Sequence, residues 1–148
     1  MPEKKTIAEA RTARRQGKSP STQAGAFVHE EIEHIREGQH GARSAKQAIA
    51  IGLSKARRAG VKLPPPPKTA SERTKRSAKR DSARAGKTAK PSAARSRAAM
   101  KALQDEPKAA ASHEALSRQA KAAARRRPAK ARKAAAKKAA KTRARRQA

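Results

Sequence analysis

Large apolar residues recur at three- and four-residue spacing in two stretches of this chain. Ala24, Phe27, Val28, Ile32 and Ile35 make the first stripe, one face of an α-helix. Ser19-Pro20-Ser21-Thr22 opens it, with hydroxyls for capping and a proline suited to a first turn, and Gly38 ends it. The second stripe is Ala45, Ala48, Ile49, Gly52, Leu53, Ala56 and Ala59. Ser44 and Gln47 have the spacing of a capping box at its start. Gly60 supplies a left-handed residue at its end, where Arg57 and Arg58 suit the negative pole of the helix. The pattern predicts helices over about 21–37 and 45–59. They are joined by G-Q-H-G-A-R, a length typical of antiparallel neighbours. Ala48, Gly52 and Ala56 form a ladder of small residues, against which the bulky face of the first helix can sit closely. The expected unit is an αα-hairpin.

Two positions depart from the stripes. Glu31 falls inside the first, one turn after Phe27 and one before Ile35. It reads either as a carboxylate at the edge of the stripe, reaching water or a nearby cation, or as a partly buried ion pair that sets helix register. Ile51 points to the side of Gln47 and Arg58, either as a single exposed apolar residue or as a contact for a second copy or a partner. His29, Glu30, Glu33, Arg36 and Glu37 belong to the outer face of the first helix.

Beyond Leu63 the apolar pattern fades, with only Met100, Leu103 and Leu116 in the last 85 of 148 residues. That part cannot bury enough surface to offset a backbone entropy of roughly 1–2 kcal/mol per residue. The expected organisation is a basic arm (1–20) that frays alone, the hairpin (21–63), a polyproline spacer (64–67) and a low-complexity tail (68–148). The fold class is all-α, with the tail disordered or transiently helical. Its best helical blocks are 92–105, 112–127 and 129–146, where alanine, lysine and arginine favour helix while like charges at spacing four oppose it.

Charge sharpens this division. Residues 1–63 carry 13 basic and 6 acidic side chains, residues 64–148 carry 27 and 5, and the whole chain is +29. A polycation of this density displaces the counterions condensed on a nucleic acid, and its affinity falls steeply with salt. The residues expected to meet phosphates are Lys75, Arg76, Lys79, Arg80, Arg125, Arg126, Arg127, Lys130, Arg132, Lys133, Lys137, Lys138, Lys141, Arg143, Arg145 and Arg146, with Lys55, Arg57 and Arg58 secondary. Phe27 is the sole aromatic residue and sits on a core face, so stacking on single strands is disfavoured. Duplex DNA is the favoured partner, with structured RNA open. The hairpin also admits a helix-turn-helix reading, but its connection is long and no third helix is evident to brace it.

Enzymatic and metal chemistry find little support. H-E-E-I-E-H, residues 29–34, superficially resembles the zinc-protease H-E-x-x-H. Here the histidines are five apart and diverge by about 140° around a helix. Glu30 and His34 read as a surface hydrogen bond, and His40 has no evident partner set. There is no cysteine, so no thiolate site or disulfide. The expectation is a non-enzymatic protein with no metal or cofactor. No leader or membrane span is expected either, which implies a cytoplasmic, nucleoid location.

Residues 24–66 resemble an uncharacterised family of small basic bacterial and phage proteins whose hallmark is K-Q-A-I-A-I-(G/A)-L-S-x-A-R, here residues 46–57. That resemblance implies a bacterial setting and no activity. Residues 68–148 resemble linker-histone C-terminal tails in composition, which implies compaction of DNA by charge neutralisation. Sequence-nonspecific, histone-like DNA binding is therefore expected, with the hairpin as a dimer or partner contact. The alternative is an adaptor whose hairpin holds a protein while the tail holds RNA or ribosomes.

Overall fold

The computed structural model describes residues 2–86 and 92–147, with side chains through Arg145. Among these residues all regular structure is helical: α1 (Lys4–Arg15), α2 (Pro20–Arg36), α3 (Ala45–Arg58), α4 (Glu72–Ala83), α5 (Ala93–Gln104), a 3-10 turn (Lys108–Ala111), α6 (His113–Arg125) and α7 (Ala129–Gln147). The chain forms two compact units, Met1–Ser112 and His113–Ala148.

The first unit is built on the expected pair of helices. The Ser19 hydroxyl caps α2 by accepting from the Thr22 amide, and Ser44 caps α3 by accepting from the Gln47 amide at 3.2 Å. Gln47 reaches back to the amide of Arg43 at 3.0 Å, so the box closes one residue earlier than the pattern suggested. Gly60 ends the α3 turn with φ +92. Phe27 and Ile35 are wholly buried, each contributing about 1.5–3 kcal/mol of apolar burial. At Gly52 the helices touch backbone to backbone: a Cβ there would lie 2.7 Å from the Val28 Cα and 3.0 Å from the Phe27 carbonyl. The small ladder therefore does what its spacing implied.

Three further segments complete this unit, and each corrects an expectation. The N-terminal arm is packed and helical. Ile7 and Ala10 of α1 join Ala24, Phe27, Ala56 and Val61 in one apolar cluster. A single isoleucine suffices because the alanine one turn later lets α1 approach α2 closely.

The described residues of the low-complexity segment are largely helical rather than disordered, and its first half contributes to the core. Residues 64–67 lead from α3 to α4, which turns back onto α3. Ser71 caps α4 by accepting from the Thr74 amide, Ala78 is buried, and the Ser54 hydroxyl donates to the Asp81 carboxylate. Farther on, Ala110 and Ala111 of the 3-10 turn pack with Ile35, Ala42 and Ala48 in a second apolar cluster. The Gly41 amide donates to the Leu103 carbonyl at 2.7 Å, and the Ala42 amide to the Pro107 carbonyl at 3.0 Å. Alanines carry almost no side-chain entropy to lose, so they can close a core without any large apolar residue.

This second contact leaves no room at Gly41, where a Cβ would collide with the Glu106 carbonyl. Gly41→Ala is expected to push residues 103–111 away, at a cost of about 1–3 kcal/mol. In hydrogen exchange the Gly41 and Ala42 amides should lose protection while those of α2 and α3 keep theirs. Unchanged protection at Ala42 would mean that the segment does not dock there.

In the second unit α6 half-buries Ala115, Leu116, Ser117 and Gln119, and every described side chain from Ala120 to Arg145 is exposed. Helix propensity alone accounts for α7: it is made almost entirely of alanine, lysine and arginine and follows the break at Pro128.

Candidate functional site

A buried polar cluster lies between α2, α3 and the connection joining them. Glu30, Glu31 and His34 come from one side of α2, Lys55 from α3 and His40 from the connection. Glu31 is 0% exposed, and Glu30 and His40 are each 6% exposed. The Lys55 ammonium sits 2.7 Å from Glu31 Oε2 and 3.4 Å from Glu30 Oε1. The Glu3 amide, just ahead of α1, donates to the Glu30 carboxylate at 3.3 Å.

His40 turns inward because its Nδ1–H donates to the Gly41 carbonyl at 3.0 Å, which leaves Nε2 3.4 Å from Glu31 Oε1. His34 Nε2 lies 3.3 Å from the Glu3 carboxylate. The rings of His34 and His40 meet edge to face with centroids 6.3 Å apart. One ring nitrogen from each and one Glu31 oxygen all lie within 4.8 Å of one another. Despite its close cation, Glu31 has no hydrogen bond of acceptable geometry on either oxygen.

Of the two readings of Glu31, the buried ion pair is therefore the one adopted. The outer-face placement of Glu30 is corrected, since Lys55 and the turn into α1 cover it. His34 pairs with Glu3 rather than with Glu30, and His40 does have partners. His29 stays exposed and takes no part. The physical reason is the path of residues 38–43, which returns His40 over His34; helical spacing along α2 carries no trace of it.

Apart from Lys55, the cationic residues singled out in the sequence are not members of this cluster. Arg76, Lys79 and Arg80 of α4 are exposed, and Lys75 holds Glu72 at 2.8 Å. Arg125, Arg126, Arg127, Lys130, Arg132, Lys133, Lys137, Lys138, Lys141, Arg143 and Arg145 are all exposed in the second unit, while the side chain of Arg146 lies outside the described residues. Lys130, Lys133, Lys137 and Lys141 follow three- and four-residue steps and so share one face of α7.

The three secondary positions differ from one another. Lys55 has its ammonium committed to Glu30 and Glu31. The Arg58 guanidinium donates to the Ser54 carbonyl at 3.3 Å and lies 3.8 Å from Asp81. Arg57 reaches the Pro64 carbonyl at 3.5 Å. Helix α1 supplies the bracing helix that the sequence did not reveal. At the same time α4 docks at Ser54 and Arg58, one and two turns beyond half-buried Ile51, and narrows the face that α3 offers to a groove.

Residues 27–69 match a family of unknown function, DUF6496. No curated protein and no solved structure matches the chain. The matched range runs from α2 through α3 into the proline-rich segment, and it contains Glu30, Glu31, His34, His40 and Lys55. Glu3 and all the exposed cations of α4 to α7 lie outside it. The hallmark segment, residues 46–57, falls within it. Among the described residues no helix is long and apolar enough to cross a membrane.

Proposed function

We propose that this is a non-enzymatic, sequence-nonspecific DNA-binding protein of histone-like character, acting in the cytoplasm on a bacterial nucleoid. Phosphate neutralisation by the second unit supplies its affinity, and α4 adds Arg76, Lys79 and Arg80. The observation that carries this reading is α7, 19 residues long with nine lysines and arginines and no acidic residue. At about 1.5 Å per residue it extends about 28 Å. A duplex of that length presents about 17 phosphate charges, one per ~1.7 Å. Cations on the shared face recur every four residues or fewer, about 6 Å or less, so the helix can follow a backbone without reading bases.

The composition shared with linker-histone tails supports the same reading, as does the lack of any aromatic residue besides Phe27 for stacking on single strands. The like charges that oppose α7 in water are relieved on a polyanion, which favours the helical form when bound. Lys55 is not part of this phosphate surface, because moving its ammonium would leave two carboxylates buried without their cation.

In-cell crosslinking followed by sequencing of the bound polymer tests the proposal. The expected result is DNA spread broadly over the genome. Predominant recovery of RNA would overturn it in favour of an adaptor on RNA or ribosomes, and recovery of a few discrete DNA sites would instead indicate base-specific reading.

A further inference from the structure

We propose that Glu31, His34 and His40 form a binding site for one divalent transition-metal ion of zinc's class, which staples α2 to the connection that follows it. The argument rests on the buried cluster alone and is independent of DNA binding.

Charge balance is the first observation. Glu30 and Glu31 bring two carboxylates together, and among the described residues Lys55 is the one lysine or arginine that pairs with either, so two buried carboxylates share one ammonium. An uncompensated buried charge is costly, and a bound cation removes that cost.

Geometry is the second. Because a carbonyl can only accept, the contact with Gly41 places a proton on His40 Nδ1, which leaves Nε2, 3.4 Å from Glu31 Oε1, as the ring atom that can ligate. Two oxygens or nitrogens held about 2.0–2.1 Å from a tetrahedral ion are themselves about 3.4 Å apart. A backbone carbonyl on the far ring nitrogen is also the usual way a ligating histidine is oriented. Lys55 occupies Oε2 of the same carboxylate, leaving Oε1 to act as a one-oxygen ligand. Glu31 Oε1 is wholly buried without a hydrogen bond and faces only His40 Nε2, which leaves this oxygen open to an ion. Glu3 lies 3.3 Å from His34 Nε2 and so helps to hold that ring in place.

The third observation is the charge beside the site. A hollow of about 220 Å³ between α1 and α2, lined by Glu3, Glu9, Glu30, Glu33 and Glu37 alongside Lys5, shares His34 with the proposed site. Five of the chain's 11 acidic residues, with Lys5 among them, thus gather beside His34 on a molecule of charge +29. This is a place where a cation would concentrate. Two imidazole nitrogens and one carboxylate oxygen suit zinc and its neighbours better than magnesium or calcium, which favour all-oxygen sites. With a water in the fourth position the set would be complete.

The test uses the full chain, freed of metal with a chelator and then titrated with Zn²⁺ or Mg²⁺ while heat and thermal unfolding are followed. One equivalent of Zn²⁺ should bind and raise Tm, and Mg²⁺ should do neither. The Co²⁺-loaded chain should show the strong visible absorption of four-coordinate cobalt. His34→Gln and His40→Gln should each weaken zinc binding by more than about a hundredfold, whereas the pair His29→Gln and His113→Gln should leave it unchanged. Failure of Zn²⁺ to bind, the pale spectrum of six-coordinate cobalt, or full affinity in His34→Gln would overturn the proposal. A proton on His40 would then be the source of charge balance. If His40→Gln does not fold, the cobalt spectrum of the unaltered chain and His34→Gln still decide.

Discussion

Lys55→Met is expected to destabilise the first unit by about 3–5 kcal/mol, measured by denaturant unfolding in metal-free buffer. The substitution keeps the volume and the apolar stem but removes the ammonium that lies 2.7 Å from Glu31 and 3.4 Å from Glu30. Two carboxylates then remain side by side, one fully buried and the other nearly so, with no cation between them. For a unit with this few large apolar residues the loss is a large fraction of the folding free energy of a small domain, about 5–15 kcal/mol. The same argument predicts a rescue. Glu31→Leu placed on the Lys55→Met background should recover most of the loss, since a buried pair exchanged for apolar residues is often neutral or better. If Lys55→Met costs less than about 1 kcal/mol, the ion pair is solvated and does not hold α2 against α3. If the double variant is no better than the single one, Glu31 is not the group that Lys55 compensates.

The second large effect concerns α7. Replacing Lys130, Lys133, Lys137, Lys138 and Lys141 together with glutamine should reduce the slope of log affinity against log salt for duplex DNA by up to about 4.5, at about 0.9 for each phosphate no longer neutralised. Between 50 mM and 200 mM salt such a change alters the salt-induced loss of affinity by up to about 2.7 decades. Glutamine retains good helix propensity, so the comparison tests charge rather than fold. Thermal unfolding of the first unit should be unaffected, because none of the five side chains is buried. An unchanged salt slope would show that α7 does not meet phosphates and would move the DNA-binding proposal to α4 or dismiss it. These two experiments read different halves of the molecule, so neither outcome can be mistaken for the other.

The parts of the fold that were legible in the sequence are those governed by local rules. The limits of α2 and α3 follow from Ser19, Ser44, Gly38 and Gly60, each acting within a few residues of itself. The close crossing at Gly52 follows from a ladder at spacing four. The helical blocks around α5, α6 and α7 were visible too, because alanine, lysine and arginine favour helix wherever they stand. Those blocks were expected to be transient, since the sequence shows like charges in them and few large apolar residues.

What was not legible depended on segments distant in the chain. Ala110 and Ala111 look like filler in a low-complexity run, yet they close the core on Ile35, Ala42 and Ala48. Lys55 looks like one more cation on a basic helix, and only the approach of α3 to α2 turns it toward Glu30 and Glu31. His40 looks isolated between two glycines, and only the path of the connection brings it over Glu31.

Two properties were thus determined by sequence alone. One is an all-helical chain with a bulky stripe facing a small one. The other is a charge so concentrated toward the C-terminus that polyanion binding is the natural expectation. Capping, helix periodicity and net charge need no knowledge of distant neighbours. Tertiary structure alone decided that α1, α4 and residues 103–111 belong to the core, and that Glu30, Glu31, His34, His40 and Lys55 share one buried site. Burial and ion pairing depend on which side chains converge in space, and three of those five lie on an α2 whose spacing gave no sign that a loop histidine and an α3 lysine would meet them.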